Sequence, residues 1–255
     1  MKWVFLDIET TGTDFRKDRI VEIGLVVKGE RGRPKERAFL LNPQAPIKRR
    51  AYRVHGIGYD DVKGSPTFSE VKEDVMELIR GGVIVGFNLL SLDIPFLNFE
   101  LYRLGEPPLL NPVVDVKQIA KVIYDDAPNS LEKLARYLGI EVRGNHRALA
   151  DARITRKVFR ALKERKPEIF ADVEGLESLT LSNFPAKSVD ILRVAREHGW
   201  VNIKYYSHRY GLSEWNIRPI TILKSYVIGD TGEGKFKYFN IMRIVRISPP
   251  KYGWI

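Results

Sequence analysis

Asp7 and Glu9 lie two residues apart at the end of the apolar run Trp3-Val4-Phe5-Leu6. Side chains alternate between faces along a strand, so the two carboxylates point the same way and Ile8 points opposite. Two carboxylates side by side repel unless a cation holds them. For this pair alone two readings are open: ligands for a cation, or an Asp ending a strand beside a Glu in a solvated turn. Thr10-Thr11-Gly12 follows, a tight turn whose backbone N–H groups are available to a phosphate or sugar. Asp93 stands in the first turns of a helix after a buried strand, beside the sheet edge where α/β folds bind ligands. It reads equally as an acid favouring the helix dipole. His146 and Asp151 would point roughly 140° apart on one regular helix. They reach one site if His146 lies in the loop before the helix and Asp151 in its first turns; taken alone, a His in an Arg-containing loop is ordinarily exposed and idle.

The elements that must position these groups follow from periodicity. Residues 3–7, 19–28 and 37–42 read as a three-strand meander, with the polar turn 29–35 between the last two. Phe68, Val71, Val75, Leu78 and Ile79 recur at helical spacing within 66–80, ahead of Gly81-Gly82. A short strand at 83–87, a helix over about 91–104 and a short strand at 113–115 come next. Helices follow from Asn129 or Ser130 to Leu138 and from about 148 to 162. This order describes an α/β domain with a mixed sheet. The acid-rich segment after Arg165 marks a boundary, giving a first domain at 1–165, a linker at 166–187 and a second domain at 188–255. Within the last, a short helix near 187–198 precedes β-rich segments across 201–247, a small all-β barrel or sheet.

Forty-two Lys and Arg against 32 Asp and Glu give a net charge of +10, which favours a polyanionic partner such as nucleic acid. The absence of Cys excludes a disulfide scaffold, a zinc ribbon and a thiol nucleophile. No run of 18 apolar residues is present and the N-terminus carries no signal-peptide pattern, so the expectation is a cytoplasmic protein with no membrane partner.

Taken in order, the contexts of these residues resemble the DEDDh 3′-to-5′ exonucleases, the proofreading-subunit-like branch of the RNase H-like fold. FLDIETTG at 5–12 resembles the first motif, VGFNLLSLDIPFL at 85–97 the second and HRALADA at 146–152 the third. NSLEKLARYLGI at 129–140 and Val54-His55-Gly56-Ile57 resemble the segments between. The resemblance covers roughly residues 1–163. It implies an RNase H-like mixed five-stranded sheet flanked by helices, with Asp7, Glu9, Asp93 and Asp151 as the four acids and His146 as the base. Thr10, Thr11, Gly12 and His55 are implied as holding the terminal nucleotide, although His55 reads equally as a loop histidine packed on Tyr52. Asn88 orients substrate or a metal-bound water, or caps the helix. Phe87 stands where the family commonly has His, and Leu92 where an aromatic is usual; neither belongs to the four acids.

Hard oxygen donors suit Mg²⁺ or Mn²⁺ rather than zinc. The expected mechanism places two such ions on one phosphodiester, with Asp7 bridging, Glu9 and Asp151 completing the first site, and Asp93 acting through the second ion or its waters. His146 then accepts a proton from the attacking water. The expected substrate is the 3′ end of single-stranded DNA or RNA, with DNA favoured, and a polymerase or repair partner is left open. A catalytically silent nucleic-acid-binding module is the alternative, and the intact acid set argues against it.

Residues 201–247 resemble WYL-type domains, small Sm-like β modules. Ser225-Tyr226-Val227 stands at the name-giving triplet and KYFNIMRI at 237–244 matches the later pattern. From 196 to 255 there are ten Lys and Arg, four Asp and Glu, and eleven aromatics. Arg218, Lys237 and Arg243 beside these rings suit phosphate contacts and base stacking; equally, the aromatics fill a small barrel and the cations mark its outer face.

Overall fold

The computed structural model describes residues 1–142, 146–170, 187–223 and 225–250. It divides into two compact units. The first comprises Met1–Phe96 with the described part of 111–180; the second comprises Leu97–Leu110 with the described part of 181–255.

The sheet of the first unit is built from β1 (Trp3–Thr10), β2 (Ile20–Lys28), β3 (Lys35–Leu40), β4 (Val83–Gly86) and β5 (Val113–Asp115), in the order β3-β2-β1-β4-β5. β3, β2 and β1 run antiparallel, as the meander predicts, while β4 and β5 run parallel to β1. The sheet is therefore mixed, as expected. Val4, Phe5 and Leu6 are all buried, which follows from a central strand covered on both faces. Against it lies α7 (Ala148–Arg165), whose Ala152, Val158, Phe159 and Leu162 share a core with Phe5, Val26 and Val85.

The remaining helices are α1 (Arg49–His55), α2 (Tyr59–Val62), α3 (Phe68–Ile79), α4 (Asp93–Arg103), α5 (Val116–Ile123) and α6 (Leu131–Tyr137). α3 starts with a capping box between Thr67 and Glu70. The first two helices and α5 are absent from the sequence reading. α1 has no apolar stripe, whereas α5 follows β5 without a breaker because Asp115 ends the strand and caps the helix, accepting the Lys117 N–H at 3.0 Å.

In the second unit, α8 (Lys187–His198) precedes one antiparallel sheet of β6 (Val201–Ser207), β7 (Gly211–Leu223), β8 (Tyr226–Asp230), β9 (Phe236–Asn240) and β10 (Ile244–Ser248). Its order is β10-β6-β7-β8-β9. Ile191, Ile203, Ile217, Val227 and Phe239 form its core. The later turns of α4 belong here: Asn98 Nδ2 donates to Thr221 Oγ1 at 3.1 Å, and the Tyr102 hydroxyl donates to Asp230 at 2.6 Å. Most of the expected linker, residues 171–186, lies outside the described residues. No helix among the described residues is long and apolar enough to cross a membrane.

Candidate metal centre

β1 carries Asp7 and Glu9 on one face, and α7 brings Asp151 to them from its first turn, as the two-residue spacing and the helix start predict. Carboxylate oxygens of the three lie within 4.8 Å of one another. Asp93 opens α4, and its Oδ1 accepts the Ile8 N–H at 3.1 Å, so the fourth acid is hydrogen-bonded to the residue between the first two. The register shifts between Glu9 and Thr10, whose pair with Ile20 is the last of the ladder before the chain leaves the sheet.

Each acid is held above its ordinary pKa. Burial raises Asp7 most, followed by Asp93, Asp151 and Glu9. Glu9 is pushed from the usual 4.5 to about 8 by burial, then by Asp151, Glu22 and Asp93. Burial also raises Asp93 and Asp151, and nearby His146 draws Asp151 partly back. Four acids that resist ionisation together, with oxygen donors and no thiolate, are the donor set of a hard divalent cation.

A pH-dependent prediction follows. The folded-state pKa of Glu9 lies above its unfolded value, so its contribution favours the metal-free fold at low pH. That contribution is lost as pH rises towards about 8. Metal binding requires the ionised form and strengthens over the same range. In calorimetry the metal-free melting temperature should fall from about pH 5 to pH 8, while the increment from Mg²⁺ grows. At a hundredfold excess over Kd that increment is about 2.7 kcal/mol, or roughly 5–10 °C. An increment independent of pH would count against these carboxylates as ligands.

His146 lies directly before α7, exposed, with φ of 27°. A non-glycine residue in this region is uncommon and clusters at functional sites. Arg147 and Glu22, absent from the sequence reading, hold this junction. Glu22 is 2% exposed and is the cross-strand partner of Glu9. Its carboxylate accepts Arg147 Nε at 3.0 and 3.1 Å and the Ala148 N–H at 2.9 Å. The signal was an acid inside the apolar strand RIVEIGLVV, which demands a partner once buried.

The nucleotide-binding candidates separate. The Thr10 hydroxyl donates to Gly12 O at 2.6 Å. Thr11 is buried, its N–H donating to Arg19 O and its hydroxyl accepting the Arg19 N–H, so its amide is not turned to a phosphate. A Cβ on Gly12 would lie 2.4 Å from Asp18 Oδ2, so any side chain there would displace the Asp18–Lys48 pair. His55 is buried, with Nδ1 accepting the Ile57 N–H at 3.0 Å and Nε2 3.2 Å from Thr10 O. Burial lowers its pKa, so it is a neutral clamp between α1 and the β1 turn. Asn88 has φ of 59°; its N–H donates to Asp115 and its Oδ1 accepts from Lys117. Asp115, another residue missed, thus fixes the loop that leads to Asp93.

In the second unit Arg218 lies over the Tyr102 ring at 5.2 Å and donates to Glu106 O. Lys237 is exposed and stacks 3.6 Å from the Trp215 ring centroid, and Arg243 is exposed.

The exonuclease family model of RNase T type matches residues 4–159. The chain is 33% identical over 156 residues to the DNA polymerase III epsilon subunit of Treponema pallidum, covering 60% of this chain and 72% of that one. It is 31% identical over 193 residues to the PolC-type DNA polymerase III of Clostridium perfringens, covering 74% of this chain but only 13% of that polymerase. In fold it is similar to E. coli exonuclease I solved with a dT13 oligonucleotide, with a TM-score of 0.61 at 18% identity. That match covers 90% of this chain and 55% of exonuclease I.

Proposed function

We propose that this chain, which belongs to the DnaQ-like DEDD family of 3′-to-5′ exonucleases, removes nucleoside 5′-monophosphates from the 3′ end of single strands, preferring DNA to RNA. The observation that carries the reading is the meeting of Asp7, Glu9 and Asp151 within 4.8 Å, with Asp93 bonded to the strand between them. The preference for DNA is supported by the likeness to a DNA polymerase III subunit and to a nuclease solved with oligo-dT.

Asp7, Glu9 and Asp151, with Asp93 beside them, would hold Mg²⁺ or Mn²⁺. When bound, such ions neutralise charge on the phosphodiester and acidify the attacking water. An imidazole nitrogen of His146 accepts the proton that the water loses. Thr10 and Asn88 meet the terminal nucleotide, while Thr11, Gly12 and His55 keep the turn in shape for it. In the second unit the exposed Lys237 and Arg243 take phosphates, and the exposed rings of Tyr206, Tyr210 and Tyr238 take bases. Arg218 orders its own unit beside Tyr102. The WYL-type likeness adds nothing to this reading, which needs only a basic, aromatic β-sheet.

A time course on 5′-labelled DNA and RNA of one sequence, in Mg²⁺, in Mn²⁺ and with chelator, tests the proposal. A metal-dependent ladder shortening from the 3′ end, faster on DNA, is the expected result. His146→Ala should lower turnover by about 10² to 10⁴ and leave strand affinity largely intact. Near-normal turnover in that variant would remove the general-base role.

A further inference from the structure

We propose that the cleft on the flank of α1 binds a nucleobase of the substrate strand upstream of the terminal nucleotide, a role that rests on the exonuclease reading above. The cleft has a volume of about 860 Å³ and is lined in part by Tyr52, Tyr59, Arg49, Gln44 and Pro46. That is room for a nucleoside-sized group and its neighbours.

Single exposed aromatics are ordinary, but here two share one concavity. Tyr52 is 51% exposed and Tyr59 68% exposed. The Tyr52 ring is packed on Gly58, where an added Cβ would lie 3.5 Å from a ring carbon. An exposed aromatic ring beside a cleft is a stacking platform for any base. Gln44, exposed on the same wall, offers an amide donor and acceptor to a base edge.

Charge selects the occupant. Arg49, Arg50 and Arg53 lie on α1, Lys48 immediately precedes it, and the helix carries no acid. Lys48 pairs with Asp18 at 2.7 Å, whereas no ion pair engages Arg49, Arg50 or Arg53 among the described residues. Against these cations α2 carries two acids, Asp60, which pairs with Lys63, and Asp61, which accepts the Gly58 N–H. Arg49 in the cleft beside the two tyrosines, with Arg50 and Arg53 on the same helix, fits a phosphodiester strand and is poorly matched to a basic peptide.

Position supplies the link to the acids. α1 is fastened to the turn after β1 at both ends, by the Lys48 N–H to Thr11 O at 3.0 Å and by His55 to Thr10 O at 3.2 Å. Both ends of α1 are thus tied to the end of the strand that carries Glu9, and the base proposed for the cleft belongs to the chain leaving that site.

The test compares the wild type with the double variant Tyr52→Ala/Tyr59→Ala, with Tyr52→Phe/Tyr59→Phe as rescue and Val122→Ala as an unrelated exposed-residue control. Two readouts are used: oligo-dT binding by fluorescence anisotropy in EDTA, and metal-dependent hydrolysis of thymidine 5′-monophosphate p-nitrophenyl ester, which fills only the terminal site. The alanine pair should bind the oligonucleotide about 5- to 100-fold more weakly, with ester turnover unchanged, and the phenylalanine pair should restore binding. Unchanged oligonucleotide affinity would overturn the proposal and leave the cleft to an acidic peptide. A parallel loss of ester turnover would also overturn it, because the substitutions would then be disturbing the acids. Should the wild type hydrolyse neither substrate in any metal, the exonuclease reading fails, while binding in EDTA still reports on the cleft.

Discussion

Asp7→Asn should lower strand shortening by more than about 10⁴-fold, beyond the range expected for loss of a general base, while the metal-free protein becomes more heat-stable. The two signs belong together. Asp7 has Asp93, Asp151, Glu9 and Glu22 all opposing its ionisation after burial has already done so. Its folded-state pKa lies above the unfolded value, so above about pH 4 its carboxylate works against the metal-free fold. Asparagine keeps the shape and removes that opposition, and with it the charge that would join two cations. Mg²⁺ should then no longer raise the melting temperature. Activity assays with chelated and metal-loaded samples, beside calorimetry at about pH 8, separate this outcome from misfolding. A variant that loses activity through a large fall in metal-free stability would overturn the ligand assignment.

Much of this site was legible because its parts are local. Asp7 and Glu9 needed only the two-residue period of a strand, and Asp151 only the start of a helix, and the structure joins all three. Asp93 was expected in the first turns of a helix over about 91–104, and it opens α4. The strands of the second unit were readable from alternation, although the grip of that unit on α4 was not. The Asn98–Thr221 hydrogen bond joins residues 123 apart, and nothing in a helical stripe says which element will cover it.

What stayed hidden was the use of polar side chains by distant backbone. The resemblance implies that Thr11 and His55 meet a nucleotide, with His55 reading equally as a packed loop histidine, and the fold turns both inward, onto Arg19 and onto Thr10 and Ile57. Asp115 looked like the end of a short strand; it is the acceptor that holds Asn88 and starts α5. In each case the local sequence states the hydrogen-bonding capacity, and only tertiary structure states the partner.

The same distinction sets the last expected result, for Glu22→Ala. β2 meets the start of α7 without a side chain between them, because a Cβ on Gly24 would lie 2.1 Å from the Ala148 carbonyl carbon. Glu22, two residues away, ties down both the first N–H of the helix and the guanidinium beside His146. Arg147 is 52% exposed at its side chain and can turn to water when its partner is removed, so the full cost of a stranded buried charge does not apply. The Ala148 N–H has no such escape, and leaving it unpaired costs about 1–3 kcal/mol, or roughly 2–12 °C in melting temperature. The loss of turnover should be larger than this stability suggests. His146 and Asp151 flank the released junction, and a displacement near 1 Å at such groups lowers rate by about 10². Glu22→Gln keeps an acceptor for Ala148 and loses only the charge, so it should recover most of the stability and part of the turnover. If Glu22→Ala melts early yet turns over within about twofold of wild type at a temperature where both are folded, then Glu22 only braces the sheet, and the alignment of His146 with Asp151 depends on other contacts.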